Sequence, residues 1–386
     1  MLNFQVIKQF SKTMQNQKIK VPVIVSDVDG VLKQNMYALP KAADMIRIIR
    51  KRLCEIDPNK YPNVNSQIPF YLLTNRGSIS EKEHALIVNK AMDFDEEKDS
   101  FIKFTEKDQI LNHTPLKDLW QTEAFKDKLL LFVGQDCDKV AKDNNLKYIT
   151  ADEYLDLFPE MVPNTSKAPV DRKKLVSELK ERLNIQDDSY FDKYLQVHGI
   201  FIIQYPNRWE DVIQIIMDFL STEDGTFANG IPLIPPKKHI PVISSMNDLY
   251  YKDSFPLPRL LNEPFIECLK STYKTLYKGE MNIQFYGKPQ YLQFEFAQKH
   301  SRHFLQDDLE ATNYYMIGDN PKSDIKGANS IGWNSILVRT GVFNGVVNDP
   351  EDPAKYVVQD IEEAIKLIFN LEGIHYQGPW PSDKQQ

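Results

Sequence analysis

A chain of 386 residues, 42% hydrophobic and 26% charged, has the composition of a globular protein and is longer than most single cores, so two domains are expected. The formal net charge of −7, with no basic stripe, argues against nucleic acid as a partner. Three cysteines (Cys54, Cys137, Cys268) without CxxC spacing speak against a disulfide framework or zinc site, and no stretch approaches the roughly eighteen apolar residues of a membrane span.

In chain order, the first 26 residues hold four lysines (Lys8, Lys12, Lys18, Lys20) and no acidic residue. If residues 1–20 are helical, Leu2, Val6 and Phe10 share one face and Lys8 and Lys12 lie off it. That is the pattern of an amphipathic mitochondrial presequence without its usual arginines, with a lysine-rich tail as the alternative. An apolar strand over 21–26 then precedes a helix over 40–53, a strand over 70–73, a helix over 80–91 and an acidic loop over 93–99. A third apolar strand spans 129–133. From 140 to 278 the character changes. Charged helices over 171–183 and 209–220 alternate with strands over 197–204 and 241–245, which predicts an inserted α+β domain. The strand over 283–286 resumes the first pattern. A helix over 290–304, strands over 314–317 and 335–338, a helix over 361–371 and a coil tail over 376–386 complete the chain. The fold class this predicts is α/β, a doubly wound and mainly parallel sheet with an inserted domain.

Four of these strands end in small polar clusters. Val23-Ile24-Val25-Ser26 runs into Asp27-Val28-Asp29-Gly30, and Phe70-Tyr71-Leu72-Leu73 into Thr74-Asn75-Arg76-Gly77. Ile283-Gln284-Phe285-Tyr286 runs into Gly287-Lys288-Pro289, and Tyr314-Tyr315-Met316-Ile317 into Gly318-Asp319-Asn320-Pro321-Lys322-Ser323-Asp324. Apolar runs of this length read as strands buried on both faces of a parallel sheet, and ligands in such sheets collect beyond the carboxyl ends of the strands. Ionised aspartates are costly to bury without a cation or donor, so a pair of them placed there points to a metal and a reaction.

Asp, Thr, Lys and Asp/Asp in this order resemble the four signature motifs of the haloacid dehalogenase superfamily. The insertion between the Thr and Lys motifs resembles the C2 cap of the type IIA branch. Closer segments look like the cat-eye-syndrome-critical-region hydrolases: Asp108-Gln109-Ile110-Leu111-Asn112-His113-Thr114-Pro115, Tyr205-Pro206-Asn207-Arg208-Trp209, the run from Gly318 through Asn329, Gly332-Trp333-Asn334-Ser335 and Arg339-Thr340-Gly341-Val342-Phe343. The match covers about residues 21 to 370. It implies a leader over 1–20, a core over 21–139 and 279–375, a C2 cap over 140–278 and a tail over 376–386.

The resemblance implies a phosphatase. Asp27 is its nucleophile, forming an aspartyl-phosphate, and Asp29 is the general acid and then base. Mg2+ is the implied cofactor, held by the Asp27 carboxylate, the Asp29 backbone carbonyl and Asp319, with Asp324 close by. Thr74, Asn75 and Lys288 are the implied phosphate contacts. Arg76 departs from the usual Thr-Asn-Asn or Thr-Asn-Gly and faces either phosphate or solvent. His113 is read as a loop residue capping the next turn, with the site mouth as the alternative. Arg208 and Trp209 are candidates for substrate contact, although a tryptophan opening a helix more often packs into its own domain. The expected partner is a small phosphorylated metabolite in the mitochondrial matrix. The other reading is an accessory subunit of a mitochondrial assembly, and a homodimer or membership of a larger complex stays open.

Overall fold

The computed structural model describes residues 18–385 except 96, 165–169, 229, 232–233, 252–254, 256 and 306–307. The predicted leader therefore lies outside the described residues, apart from its last three. The chain forms two compact units, one of Met1–Leu73, Ala85–Gln109 and Phe294–Gln386, the other of Thr74–His84 and Ile110–Gln293.

In the first unit, five parallel strands run in the order Tyr356–Val358, Asn334–Val338, Leu309–Gly318, Ile19–Ser26, Phe70–Leu73. The central strand Ile19–Ser26 is buried from Val21 to Ser26, as a β-branched run between two neighbours should be. Its register slips between Val21 and Val23, around Pro22, which has no N–H to give the ladder. Pairing of Ser26 with Ile317 on one side and Leu72 on the other brings three strand ends level.

Helix Ala42–Ile49 packs with Ile361–Leu371 over this sheet, burying Met45, Ile46, Ile49, Ile365 and Ile368. The second helix starts where Asp360 accepts from Glu363 N at 3.1 Å, an N-cap. The helix predicted over 40–53 begins only after Lys41, whose φ is +69°, and a separate turn, Leu53–Ile56, follows it. The tail predicted as coil carries a 3-10 turn, Pro381–Gln385, with Trp380 set 6.0 Å from Phe369, ring to ring.

The second unit holds a parallel sheet in the order Ile283–Phe285, Val242–Ser244, Ile200–Ile202, Leu130–Val133, Tyr148–Thr150. Numbered along the chain and read from the Tyr148–Thr150 edge, that is 2-1-3-4-5, a doubly wound order. Alternate residues of Leu130–Val133 enter different cores: Leu131 and Val133 pack with Ile200 and Ile215, whereas Leu130 and Phe132 pack with Trp120 and Phe201. The runs 129–133 and 283–286, read from sequence as part of the first sheet, thus belong to the second. Leu130–Val133 is buried on both faces, and such a strand has the same apolar pattern in either sheet, so the pattern does not carry the partner. Ile283–Phe285 is instead an edge strand with Gln284 exposed, against the expectation of burial on both faces.

Candidate active site

Asp27 follows the last residue of the central strand and is 8% exposed. Its N–H donates to Ile317 O at 2.8 Å, which extends the ladder one residue and fixes where the carboxylate leaves the sheet. Asp319 and Asp324 are also buried, and one carboxylate oxygen from each of Asp27, Asp319 and Asp324 lies within 4.8 Å of the others. Three carboxylates so close repel one another unless a cation or protons balance them.

The loop carrying Asp319 is fixed from both directions. Asp324 Oδ2 accepts the N–H groups of Asp319 (3.2 Å) and Asn320 (3.0 Å). Asp319 Oδ2 accepts from Val342 N at 2.6 Å, and its carbonyl from Phe343 N at 3.0 Å. Thr340 Oγ1 donates to Gly30 O at 2.5 Å, joining the loop after strand Asn334–Val338 to the one after Asp27.

Glycines make the room. A Cβ on Gly341 would stand 1.9 Å from Asp319 Oδ2, and one on Gly30, whose φ is +85°, 2.3 Å from the same atom. A Cβ on Gly318 would meet Asp324 at 2.2 Å. The sequence motifs alone give no role to Thr340, Gly341 or Val342. The available signal was the Thr-Gly that follows strand Asn334–Val338 and Arg339.

Asp29 stands apart from the buried cluster, its side chain half exposed. It pairs with the fully buried Lys33, whose ammonium also donates to Asn35 O at 3.1 Å. Lys33, which opens the short strand Lys33–Gln34, likewise has no role in the sequence motifs, because a single lysine carries no pattern.

Thr74, Asn75 and Lys288 all fall in the second unit. Thr74 is 4% exposed, donates through its N–H to Ile110 O (3.0 Å), and takes the Arg76 N–H on its hydroxyl oxygen (3.2 Å). Asn75 accepts from Lys288 N at 2.7 Å and donates to Lys288 O at 2.9 Å and to Asp248 Oδ2 at 2.6 Å. The side chain of Arg76 is exposed.

His113 is 1% exposed, with Nδ1 3.2 Å from Asn112 Oδ1 and Nε2 4.0 Å from Glu81. Burial pushes its pKa down to about 4 against the pull of Glu81. It is a packed, neutral ring, not a group at a solvent mouth. Arg208 pairs with Asp152 (2.9 Å) and Asp211 (3.2 Å), and Trp209 sets its edge on Phe265 with centroids 5.5 Å apart. The packing expectation for Trp209 holds.

The acidic cluster suits a hard divalent cation. Its donors are all oxygens, and ligands on one octahedral Mg2+ lie about 3–4 Å apart, given bonds of 2.0–2.1 Å. The three side chains could therefore hold such an ion.

A family model for haloacid dehalogenase-like hydrolases matches residues 24–147, and a HAD-hydrolase-like model matches residues 285–364. A cardiolipin synthase (CMP-forming)/mitochondrial hydrolase fusion protein of Schizosaccharomyces pombe is 29% identical over 359 residues, covering 89% of this chain and 52% of that protein. The chain thus spans about half the length of that relative. A mitochondrial hydrolase of Saccharomyces cerevisiae is 25% identical, covering 88% of this chain and 93% of the yeast protein. Among solved structures, the glycerol phosphate phosphatase of Mycobacterium tuberculosis in complex with magnesium superposes with a TM-score of 0.53 at 15% identity, over 89% of this chain and 75% of that one. Two matched segments flanking an insertion, with a buried carboxylate cluster at the carboxyl ends of the first sheet, give this chain the fold of the haloacid dehalogenase-like hydrolases.

Proposed function

We propose that the chain is a magnesium-dependent phosphatase of the C2-capped, type IIA kind, hydrolysing a small phosphorylated metabolite through an aspartyl-phosphate on Asp27. The carrying observation is the buried group of Asp27, Asp319 and Asp324 at the ends of adjacent parallel strands.

In the first step an Asp27 carboxylate oxygen attacks phosphorus as the bond to the ester oxygen breaks, and Asp29 gives its proton to the departing alkoxide. In the second, Asp29 takes a proton from water as that water attacks the aspartyl-phosphate, which returns the Asp27 carboxylate and releases inorganic phosphate. Bound Mg2+, on the carboxylates of Asp27, Asp319 and Asp324, would neutralise charge that otherwise repels a phosphate dianion. The hydroxyl of Thr74 and the ammonium of Lys288 are the chemistry that a phosphoryl group's oxygens take up.

One fungal relative is a mitochondrial hydrolase, and the other is a fusion of a cardiolipin synthase with a mitochondrial hydrolase. That supports the mitochondrial part of the reading and favours an enzyme over an accessory subunit.

The test is a panel of phosphorylated metabolites assayed with magnesium, with Asp27→Asn as the blank. Asparagine is isosteric and a poor nucleophile, so turnover should vanish while the melting temperature stays near the parent's. Equal turnover by parent and mutant on every ester would sink the assignment.

A further inference from the structure

We propose that Asn75 and Asp248 act as a positioning pair for Lys288, and that Asn75 is not itself a phosphate ligand. This rests on the reading above, in which Lys288 pairs with the substrate phosphate.

A primary amide has two N–H hydrogens. Asn75 Nδ2 spends one on Lys288 O (2.9 Å) and the other on Asp248 Oδ2 (2.6 Å), while Oδ1 takes the Lys288 N–H (2.7 Å). No donor of that side chain is left for a phosphate oxygen. What the amide does instead is grip both backbone groups of Lys288, so the lysine side chain starts from a fixed point.

The surroundings are built for that grip. Gly287 has φ +76°, and a Cβ there would come 2.3 Å from Ser245 O and 2.9 Å from Asn75 Oδ1. Only glycine lets the chain reach Asn75 in this conformation. Asp248 is anchored in turn. Its carbonyl accepts from Glu263 N at 3.1 Å, near the start of the sixteen-residue helix Asn262–Tyr277. Asn262 Nδ2 holds the preceding segment through Met246 O (2.9 Å) and Ser244 Oγ (2.8 Å). Asp248 also stands at the neck of the hairpin Tyr250–Tyr251 with Arg259–Leu260, closed by Leu261 N to Leu249 O at 3.0 Å. A charge-assisted bond of 2.6 Å orients the Asn75 amide and polarises it toward Lys288. Losing it frees the amide to rotate, and a displacement of about 1 Å at a catalytic group can cost about a hundredfold in rate.

The experiment is a double-mutant cycle on the full chain with magnesium and p-nitrophenyl phosphate as the probe. Asp248→Ala should lower kcat/KM about 10- to 100-fold and weaken inhibition by inorganic phosphate to a similar degree. The magnesium concentration for half-maximal activity should not move. Asp248→Asn, which keeps an acceptor oxygen, should recover activity to within about fivefold of the parent. Asn75→Ala and the Asn75→Ala/Asp248→Ala double mutant should agree within about twofold, because Asp248 acts through Asn75. Should Asp248→Ala melt well below the parent, the cycle is run with Asp248→Leu, which keeps the branch at Cγ and has no acceptor. An active parent with an unaffected Asp248→Ala, or with effects that multiply in the double mutant, overturns this inference and leaves the phosphatase reading intact. A parent that turns over neither the probe nor the metabolite panel overturns both.

Discussion

Gly341 stands so close to Asp319 that a Cβ on it would fall 1.9 Å from the carboxylate oxygen Oδ2, the atom that also takes the Val342 N–H. The φ of Gly341 is not in the left-handed region, so the glycine is needed there for space and not for backbone freedom. Gly341→Ala should push the Asp319 carboxylate off its position, raising the magnesium concentration needed for half-maximal activity about 10- to 100-fold. Gly332 offers a contrast, since its φ is +77° and nothing lies within 4 Å of a Cβ there. Gly332→Ala should cost about 1 kcal/mol of stability through backbone strain and leave the magnesium requirement unchanged. Magnesium titrations of the two variants, with thermal melts, check the pair.

The metal prediction follows from the same carboxylates. Activity should disappear in excess chelator and return with magnesium, and Asp319→Ala should raise the requirement at least tenfold or remove activity. Calcium should support turnover poorly, because its longer bonds and looser coordination misplace Asp27. Full activity in chelator would rule out a metal on this cluster.

Asp29 and Lys33 form an unequal pair, and removing either one has a different cost. Lys33 is fully buried, whereas the Asp29 side chain is half exposed. Lys33→Met leaves a carboxylate that water can reach, so the cost should be about 1 kcal/mol or less. Asp29→Ala leaves a buried ammonium that donates to the Asn35 carbonyl without a counter-charge on Asp29, and should cost about 3 kcal/mol. Urea unfolding of the two variants decides it. Equal losses would mean that Lys33 reaches water when its partner is gone.

What the sequence made legible, and what it did not, divides along physical lines. The strand ends carrying Asp27, Thr74 and Asp319 could be read because buried parallel strands leave apolar runs, and polar clusters at their ends stand out, whereas Lys288 follows a partly exposed edge strand. Helix bounds such as Ile361–Leu371 were equally plain from their period. Thr340 and Val342 could not be assigned, because their part is played by one hydroxyl and one backbone N–H on a loop far along the chain from Gly30. Asn75 illustrates the other limit. Its residue type fits phosphate binding and backbone clamping equally well, and the proposal of a clamp rests on the distances to Lys288 and Asp248. Nor does an apolar run say which sheet it joins, which is why Leu130–Val133 and Ile283–Phe285 were misplaced.

The last prediction concerns acid stability. His113 is buried with its pKa pushed down to about 4, whereas in the unfolded chain it titrates near 6.5. Between those values the unfolded state holds a proton that the folded state refuses. Stability should therefore be level above pH 7 and decline as pH falls from about 6.5 toward 4, by roughly 3 kcal/mol at the lower end. Glu81 acts in the same direction at lower pH. Burial pushes its carboxyl up, but His113, Lys117 and Thr114 together hold it below the ordinary value, so its contribution is lost as pH drops through the carboxylate range. Replacing the ring with an uncharged amide, His113→Gln, should lower stability at pH 7.5 through lost packing yet flatten the slope between pH 6.5 and 4.5. Denaturant unfolding across that window, parent against variant, measures it. Equal slopes for the two proteins would mean that His113 takes up its proton in the folded state as readily as in the unfolded one.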